Sequence, residues 1–447
     1  MVISFARNNL AEEPGKKGVT RAGGVNHGGS GGLGPHNVVR RDTQGAVSAD
    51  AVDWKRGAFM ASLGHMVHDK AHIPFAVDKV RFPGEPVAMV VAETREQARD
   101  AAEALDVTYA ILPAVVDGPT ALKPGAPQLW DDVPGNLALD ADVNDRTGIA
   151  EAFASAAHIV EERFRSQRTV TAQMEPRAAL GQYDPATGHY LLTSGCQGAH
   201  RMRVGLCAAM KLTPDRLRVV VPDVGGGFGT RTNSYTEQLG VLWAARVVGR
   251  PVKWTGDRNE CFLTDYQGRD LDVNVELALD KDGKFLAVRG VNLSNLGAYA
   301  THFTPLRKGL GIMQGVYNIP AVHFRGCGVL TNTVPTTPYR SAGRPEAIYV
   351  IERLVDLAAD LHGFDPIELR RRNFIQPETM PFTNAVGITY DNGEYERVMD
   401  MALKLADWDN FAKRRAEARA PPGSLTACRR PGAIRPAASR SVAESCV

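Results

Sequence analysis

The sequence predicts an α+β fold with more than one domain. A chain of 447 residues is long enough to form two or more hydrophobic cores. A strand–helix–strand pattern covers residues 86–109, and a period-2 pattern typical of a β-hairpin covers residues 271–288. Helical patterns follow in the second half of the chain, whereas both ends lack a sustained period.

The composition is that of an ordinary globular protein, with 44% hydrophobic and 23% charged residues. A formal net charge of +2 and dispersed basic residues argue against a nucleic-acid partner. No apolar run reaches the length of a transmembrane helix, so we expect no membrane partner. The lack of a signal-peptide pattern makes the cytoplasm the default location.

Both ends of the chain differ from its middle. Residues 1–58 contain glycine clusters and no period of 2 or 3.6, so we expect an irregular segment. Residues 411–447 are expected to form a disordered tail, because the stretch from Ala418 has almost no large apolar residue to bury. A basic tail that binds RNA or a membrane is the alternative interpretation of this last segment.

Just beyond the first segment, His65, His68 and His72 have a spacing that would place them on one face of a helix. They form either a metal site or a set of ordinary exposed histidines. Because no supporting ligands can be identified near them, we expect the second, and we predict no metal-ligating residues in the chain.

Ordered structure is predicted from about Pro74. Residues 86–92 form an apolar run expected to be a buried strand. Thr94 and Gln97 then have the spacing of a capping box at the start of a helix, and Val107–Tyr109 return as a strand. Residues 130–147 are polar and turn-rich, which predicts a linker over the surface before a main domain that starts near Ile149.

The main domain contains a glycine-rich loop after a strand pattern. Tyr190–Thr193 predict a short strand that leads to Gln197, and Val219–Val221 predict a buried strand. The loop Gly225–Gly229 follows, with Phe228 between glycines. Such a loop is either a backbone nest for electronegative ligand groups or a plain turn between two elements. Its spacing matches neither a P-loop nor a dinucleotide-binding motif, and the aromatic ring suggests a wall against a flat ligand.

The elements beyond the loop indicate structure rather than chemistry. Residues 237–248 have helical composition with Gly249 at a plausible C-terminal cap. Residues 271–277 and 285–288 predict a hairpin with one buried face, and Ile351–Leu361 predict a helix that ends at Gly363. Asp365 and Pro366 are typical of the start of the next helix.

Six cysteines are scattered singly, with no Cys-x-x-Cys spacing. Iron–sulfur ligation within this chain is therefore not expected, and we expect the first four to be buried free thiols. If the protein is a redox enzyme, its electron-transfer centres belong to another chain. These first four cysteines are Cys196, Cys207, Cys261 and Cys327.

Several motifs, taken together and in order, resemble the molybdopterin-binding large subunit of the xanthine dehydrogenase / aldehyde oxidase / aerobic carbon monoxide dehydrogenase family. The resemblance runs from about Ala76 to about Trp408. Besides the glycine loop, the motifs are Gln173–Ala179, Ser194–His200, Asn295–Tyr299 and Thr336–Ala347.

The resemblance implies a partial a/b hammerhead domain over residues 59–130 and the first molybdenum-cofactor-binding domain over residues 131–410. It also implies that the second cofactor-binding domain is missing from this sequence. Because the resemblance stops abruptly at both ends, we hypothesise that residues 1–58 and the tail are out-of-frame translation around an in-frame core.

The family's activity is hydroxylation of a small-molecule substrate with water as the oxygen source. The implied cofactor is a molybdenum–molybdopterin, expected in its cytosine dinucleotide form, and the implied partners are an iron–sulfur small subunit and an FAD-binding medium subunit. The resemblance places Gln197 beside the metal's oxo group as a hydrogen-bond donor, and Arg340 as an active-site arginine that stabilises an oxyanion. The residues Gly226, Gly227, Phe228 and Gly229, together with Gln197 and Arg340, would contact the cofactor.

These assignments leave alternatives open. Gln197 is otherwise a polar residue at a strand end, and Arg340 is otherwise paired structurally with an acid such as Glu346. Ser341 follows Arg340 where copper-containing carbon monoxide dehydrogenases have a cysteine, so an aldehyde or N-heterocycle is the expected substrate. The family's catalytic glutamate motif is absent; a catalytically inert fragment, or one half of a split subunit completed by a second chain, is therefore the rival interpretation.

Overall fold

The computed structural model describes residues 1–7, 19–25, 37–39, 66–68, 70, 72, 74–76, 79–143 and 148–418. Two large sheets dominate these residues, and helices cover parts of both. The α+β class is as predicted. None of the helices in the described ranges is long and apolar enough to cross a membrane.

The first large sheet has seven strands and includes the N-terminal strand β1. Strands β11 and β12 run parallel, so their carboxyl ends lie at the same edge. Helix α5 (Thr236–Val248) packs on the sheet through Leu239 and Leu242. Gly181 permits the close approach because a Cβ there would lie 2.5 Å from the carbonyl oxygen of Val241. In spatial order the strands are β12 (Leu217–Val220), β11 (His189–Ser194), β10 (Ala178–Asp184), β13 (Val252–Thr255), β1 (Val2–Arg7), β6 (Pro86–Ala92) and β3 (Asn37–Val39).

The second large sheet has six strands and forms the main core with helices α7 (Thr304–Ile312) and α8 (Arg344–His362). Helix α8 buries one face, which includes Ile351, Leu354 and Val355, against this sheet. In spatial order the strands are β4 (Met66–Val67), β8 (Leu137–Val143), β16 (Ala321–Leu330), β15 (Phe285–Gly297), β14 (Leu271–Leu279) and β9 (His158–Ser166).

Two small sheets and the helices complete the architecture. The small sheets are β5 (Lys79–Val80) with β2 (Val19–Val25) and β7 (Val107–Leu112), and β17 (Phe382–Thr383) with β18 (Thr389–Tyr390). The helices are α1 (Arg95–Glu103), α2 (Gly118–Ala121), α3 (Ile149–Ser155), α4 (Ala199–Met210), α5 (Thr236–Val248), α6 (Arg258–Thr264), α7 (Thr304–Ile312), α8 (Arg344–His362), α9 (Pro366–Asn373), α10 (Tyr395–Leu405) and α11 (Phe411–Ala418).

The local predictions are confirmed where their signals were strongest. The Thr94 hydroxyl accepts the N–H of Gln97 and the Gln97 side chain accepts the N–H of Thr94, which is a complete capping box. Gly249 ends α5 in the left-handed conformation at φ 66°. The predicted hairpin is the antiparallel pair β14–β15, and the first four cysteines are buried free thiols as expected.

The expectation that residues 1–58 are irregular is wrong for three short stretches, which form strands β1, β2 and β3. Strand β1 lies between β6 and β13, with Ile3 and Phe5 buried, and β2 and β3 also pair with strands from elsewhere in the chain. These strands owe their order to partners more than 50 residues away, which no local period reveals. The rest of this segment lies outside the described residues, and the boundaries at 58, 130 and 410 remain predictions.

Three further expectations need correction. Residues 137–143 are not surface linker but strand β8, which pairs with β16 and buries Leu139. Residues 411–418 form helix α11 rather than part of a disordered tail, and residues 419–447 lie outside the described residues. His72 is partly buried beside Tyr266, with 2.7 Å between Nδ1 and the hydroxyl oxygen, so it is not an exposed histidine. His65 lies outside the described residues.

Candidate functional site

Three segments that are far apart in the sequence meet at the carboxyl ends of β11 and β12. Gln197 follows β11, the glycine loop follows β12, and the loop with Arg340 precedes α8. The Gly229 N–H donates to the Gln197 Oε1 at 2.6 Å, and the Arg340 N–H donates to the Phe228 carbonyl at 2.8 Å. All six residues predicted to contact the cofactor are therefore brought together, although their roles remain predictions.

The glycine loop has a backbone that needs its glycines. Gly226 and Gly229 have φ of 106° and 104°, which non-glycine residues rarely adopt. A Cβ on Gly229 would overlap the carbonyl oxygen of Pro338, and one on Gly227 would lie 2.5 Å from the Gln197 side chain. Phe228 itself has φ 50°, and its side chain is 39% exposed. The loop thus holds an aromatic ring at the surface in a conformation that is costly for a non-glycine residue.

Several donors of the loop have no acceptor in the described part of the chain. The N–H groups of Gly226, Gly227 and Phe228 are unpaired there, whereas those of Gly225 and Gly229 bond to Glu175 and Gln197. The Gln197 Nε2 group is also unpaired among these residues. Consecutive free N–H groups beside a strand end can bind oxygen or ring-nitrogen atoms of a ligand.

A partly buried ion pair supports the glycine loop. The Arg231 guanidinium, whose side chain is 3% exposed, donates to the Glu175 carboxylate at 2.6 Å, and also to the Glu175 carbonyl oxygen. The same carboxylate accepts the Gly225 N–H at 2.7 Å, and the Arg231 carbonyl accepts the Gln197 N–H at 3.0 Å. One ion pair therefore fixes both the loop and the residue opposite it.

Arg340 does not form the structural ion pair that was its alternative interpretation. Glu346 is paired instead with Arg269, at 3.0 Å between Nη1 and Oε1. Arg340 is exposed, and within the described residues its guanidinium has no carboxylate partner. Its charge is therefore available to a ligand at the glycine loop.

Sequence reasoning missed Arg231, Glu175 and Arg269 as supports of the site. Glu175 was noticed only as part of a motif, and the partners within the two ion pairs are 56 and 77 residues apart. No local pattern indicates such pairs. The only sequence signal was the position of each arginine, two residues after Gly229 and one residue after Gly268.

The donor set fits a molybdenum–pterin cofactor better than a bare metal ion. Backbone N–H groups, the NH2 group of the Gln197 amide and a guanidinium are hydrogen-bond donors and not metal ligands, and the Gln197 Oε1 is taken up by the Gly229 N–H. No group of three or more metal-ligating side chains occurs among the described residues. A cofactor held through its own oxygen and nitrogen atoms therefore suits these residues.

Comparison with known proteins agrees with this chemistry. Residues 129–374 match the molybdopterin cofactor-binding domain, and residues 48–113 match the a/b hammerhead domain of aldehyde oxidase and xanthine dehydrogenase. The carbon monoxide dehydrogenase large chain of Hydrogenophaga pseudoflava is 34% identical over 78% of this chain and 46% of its own length. The gamma subunit of the 6-hydroxypseudooxynicotine dehydrogenase complex of Paenarthrobacter nicotinovorans is 33% identical over 79% of this chain and 45% of its own length.

Solved structures show the same likeness. Quinoline 2-oxidoreductase from Pseudomonas putida 86 matches 94% of this chain and 52% of its own chain, with a TM-score of 0.78 and 31% identity. The Cu,Mo-CO dehydrogenase matches the same shares with a TM-score of 0.78 and 28% identity. The chain thus spans about half the length of the proteins it matches.

Proposed function

Since this chain belongs to the xanthine dehydrogenase / aldehyde oxidase / aerobic carbon monoxide dehydrogenase family of molybdopterin-binding large subunits, we propose that it forms the cofactor-contacting half of a molybdenum hydroxylase. When bound, the cofactor supplies hydroxylation of a carbon centre with an oxygen from water. Gln197 and the unpaired N–H groups of Gly226, Gly227 and Phe228 orient it through hydrogen bonds. We propose the cytosine dinucleotide form of the pterin.

Arg340 acts on the substrate side of the site. Its guanidinium is exposed and has no carboxylate partner in the described part of the chain, so its charge can stabilise an oxyanion in the substrate. The Phe228 ring provides a flat apolar surface on the neighbouring glycine loop, which is joined to Arg340 by the backbone hydrogen bond. This combination suits a planar substrate that develops negative charge.

The proposed substrate is an N-heterocycle or an aldehyde rather than carbon monoxide. Copper(I) prefers a thiolate ligand, and Ser341 offers a hydroxyl beside Arg340. Cys196 precedes Gln197, but it is buried and burial raises the pKa of its thiol, which disfavours a thiolate. The names of quinoline 2-oxidoreductase and of the 6-hydroxypseudooxynicotine dehydrogenase complex support the choice of a heterocycle.

Electrons are proposed to leave through other subunits. The four described cysteines are buried singly and form no cluster, which supports an iron–sulfur small subunit and an FAD-binding medium subunit as partners. We further propose that the catalytic glutamate lies in a region that corresponds to the part of the relatives outside the match to this chain, and that the complex is cytoplasmic.

The observation that supports this function most is the junction of Gln197, the glycine loop and Arg340. A direct test is to purify the chain with its co-purifying subunits from molybdate-supplied cells. Molybdenum is then measured by mass spectrometry, and dye reduction is measured with quinoline, benzaldehyde and carbon monoxide. We expect one molybdenum per chain and turnover of quinoline or benzaldehyde. A molybdenum-loaded complex that oxidises only carbon monoxide would contradict the substrate class.

A rival function, left open by the sequence analysis, is a cofactor-binding or interaction chain without turnover. Measurements of molybdenum content and turnover on the isolated chain distinguish the two functions. Stoichiometric molybdenum without turnover, with activity restored by a second chain, indicates half of a split enzyme. A chain that takes up no molybdenum in any combination is an inert fragment.

A further inference from the structure

We propose that Arg269 is the positioning residue of Arg340, holding the loop that presents the Arg340 guanidinium to the substrate and keeping that guanidinium away from Glu346. This inference rests on the proposed function for the substrate, whereas the anchoring itself is visible in the structure. Neither residue of the Arg269–Glu346 pair belongs to the set predicted from the sequence to contact the cofactor.

The side chain of Arg269 makes three contacts with the loop and one with Glu346 in the first turn of α8. Its Nη2 donates to the Arg340 carbonyl at 3.2 Å, and its Nη1 donates to the Tyr339 carbonyl at 3.5 Å and to the Glu346 carboxylate at 3.0 Å. Its Cζ lies 4.6 Å from the centre of the Tyr339 ring. A planar guanidinium with five N–H donors can make these contacts together, whereas a lysine ammonium cannot span them.

The backbone on both sides of the contact adopts a conformation that is unfavourable for residues other than glycine. Arg269 and Asp270 have φ of 64° and 65°, and Ser341 and Ala342 have φ of 73° and 28°. Arg168 binds the Asp270 carboxylate at 2.8 Å and so supports the first of these turns. Clustered strain of this kind persists only where surrounding contacts impose it, and it concentrates at functional sites.

The approach of the two segments also depends on Gly268. A Cβ at this position would overlap the Tyr339 side chain, so glycine lets the residue before Arg269 touch the loop. The Gly268 segment is itself fixed, because the Gln267 N–H bonds to the Pro335 carbonyl at 3.1 Å and the Thr337 N–H bonds to the Gln267 carbonyl at 2.8 Å. Arg269 therefore reaches the loop from a rigid support.

The pairing of charges explains why Arg340 stays available. Glu346 is 5% exposed and lies in the first turn of α8, six residues after Arg340. A buried carboxylate demands a cation. Because Arg269 occupies this carboxylate, Arg340 is not drawn to it. Loss of the Arg269 charge would leave Glu346 uncompensated, and Arg340 is one of the two arginines, with Arg344, that lie within six residues before it in the chain.

Trypsin provides a test that does not depend on activity. The carbonyl held by Arg269 belongs to the Arg340–Ser341 bond, which trypsin cleaves when the loop is free. Arg269→Lys keeps a positive charge beside Glu346, so the chain should still fold. It loses the planar guanidinium that bonds to the Tyr339 and Arg340 carbonyls. Full-length chains are digested under native conditions, and the rate of cutting after Arg340 is followed by mass spectrometry. We expect an increase of at least tenfold for Arg269→Lys.

Arg325→Lys is the matched control, because Arg325 makes a two-pronged ion pair with Asp140 at 2.8 and 2.7 Å, between strands of the six-stranded sheet. It should leave cutting after Arg340 unchanged. An Arg269→Gln/Glu346→Gln double variant removes both charges and tests the same anchor if the lysine variant is unstable. A wild-type cutting rate in Arg269→Lys and in the double variant would overturn the proposal.

A double-mutant cycle in the purified complex tests the link to the substrate. Arg269→Lys should lower kcat/KM for the substrate about tenfold with molybdenum content unchanged, and should have less than a twofold effect in an Arg340→Ala background. Equal losses in both backgrounds would show a merely structural role and overturn the proposal. If the wild-type complex oxidises nothing, the proposed function fails, while the trypsin assay still decides whether Arg269 holds the loop.

Discussion

Gln197 uses the two ends of its amide differently. Its Oε1 accepts the Gly229 N–H at 2.6 Å, whereas its Nε2 group has no partner in the described part of the chain. Gln197→Glu retains the acceptor and replaces the donor with negative charge. We therefore expect Gln197→Glu to keep the thermal stability of the chain and lose bound molybdenum, and Gln197→Ala to lose both. The molybdenum-to-protein ratio and the melting temperature distinguish these outcomes.

Gln97→Ala is the control, since it also removes an amide that accepts one backbone N–H, at a surface helix cap. It should lower stability by up to about 1 kcal/mol without changing molybdenum content. Full molybdenum retention in Gln197→Glu would show that the Nε2 group does not contact the cofactor.

Arg340→Ala should reduce turnover while molybdenum content stays at the wild-type value. The guanidinium is exposed and has no carboxylate partner among the described residues, so its removal leaves no buried charge behind. Loss of an oxyanion-stabilising group corresponds to about 2–4 kcal/mol of transition-state stabilisation, measured as kcat/KM. Loss of molybdenum in this variant would instead place Arg340 against the cofactor.

Ser341→Cys should not produce carbon monoxide oxidation. The substitution supplies a thiol, but Ser341 has φ 73°, and Ala342 behind it is buried with φ 28°, so the loop shape is set by more than one residue. Activity is measured with copper(I) and carbon monoxide, using the wild-type chain as the reference. Copper-dependent turnover in the single variant would show that the ligand alone determines the substrate class.

At the scale of elements, the glycine loop depends on close approach as well as on backbone conformation. Gly229 and Gly249 both have positive φ, 104° and 66°, but only a Cβ on Gly229 would meet another group, the Pro338 carbonyl oxygen. Gly249→Ala should cost about 1–2 kcal/mol of unfolding free energy from conformation alone. Gly229→Ala should cost a further 1–3 kcal/mol or so through overpacking, measured by urea unfolding. Equal losses of unfolding free energy in the two variants would mean that the Pro338 carbonyl moves aside without an energetic cost.

Elements with signals a few residues apart could be predicted from the sequence, and those formed by distant partners could not. The capping box of Thr94, the glycine stop of α5 and the β14–β15 hairpin are local, and each was predicted. Strand β1 pairs with residues 86–92, and strand β8 pairs with β16, so neither has a local period strong enough to show it.

The candidate site follows the same rule. Gln197, the glycine loop and Arg340 lie in recognisable motifs, and the structure brings them together. The ion pairs that support them join Arg231 to Glu175 and Arg269 to Glu346 across long stretches of chain. Charged residues that are buried in pairs look like ordinary surface residues in a sequence, which is why these supports were missed.

At the scale of the whole molecule, strand β1 joins the hammerhead strand β6 to the strands that lead to the site. Arg7 at its end binds Glu237 at 2.5 Å and Glu260 at 2.7 Å. Glu237 also binds Arg177 at 2.5 Å, which in turn binds Asp265 at 2.5 Å. These charges are nearly all buried, so the loss of one partner would leave an uncompensated charge. These alternating charges thus connect strand β1 with the residues between Arg177 and Asp265.

A second contact in the same region contains two groups with shifted pKa values, Glu85 and His72. Glu85, between β5 and β6, accepts a hydrogen bond from the Tyr299 hydroxyl, and the His72 ring lies against the Tyr299 ring with 4.6 Å between ring centres and a tilt of 36°. Burial raises the pKa of Glu85 to about 7 from its ordinary 4.5, despite the hydrogen bond from Tyr299. Burial lowers the pKa of His72 to about 4 from 6.5, outweighing the nearby Glu237 charge. Both side chains are therefore neutral in the folded protein at mildly acidic pH.

The two groups should make opposite contributions to the pH dependence of stability. Folded Glu85 holds its proton where the unfolded chain has released it, so its contribution is lost as pH rises from about 4.5 to 7. Unfolded His72 takes up a proton that the folded protein excludes, so its contribution is lost as pH falls from about 6.5 to 4. Each contribution to the unfolding free energy amounts to roughly 3 kcal/mol, at 1.36 kcal/mol per pKa unit. Between these limits the two slopes cancel in the wild-type protein.

Single substitutions should reveal how each group alone makes the unfolding free energy depend on pH. Glu85→Gln keeps a neutral side chain for Tyr299 and leaves only His72, so the unfolding free energy relative to wild type should rise with pH between 4.5 and 6.5. His72→Asn leaves only Glu85, so the relative unfolding free energy should fall over the same interval. Urea unfolding at half-unit steps of pH measures both. Parallel curves for the wild type and both variants would show that neither group changes its pKa on folding, and that the contact between the hammerhead and the cofactor-binding domain is insensitive to pH in this range.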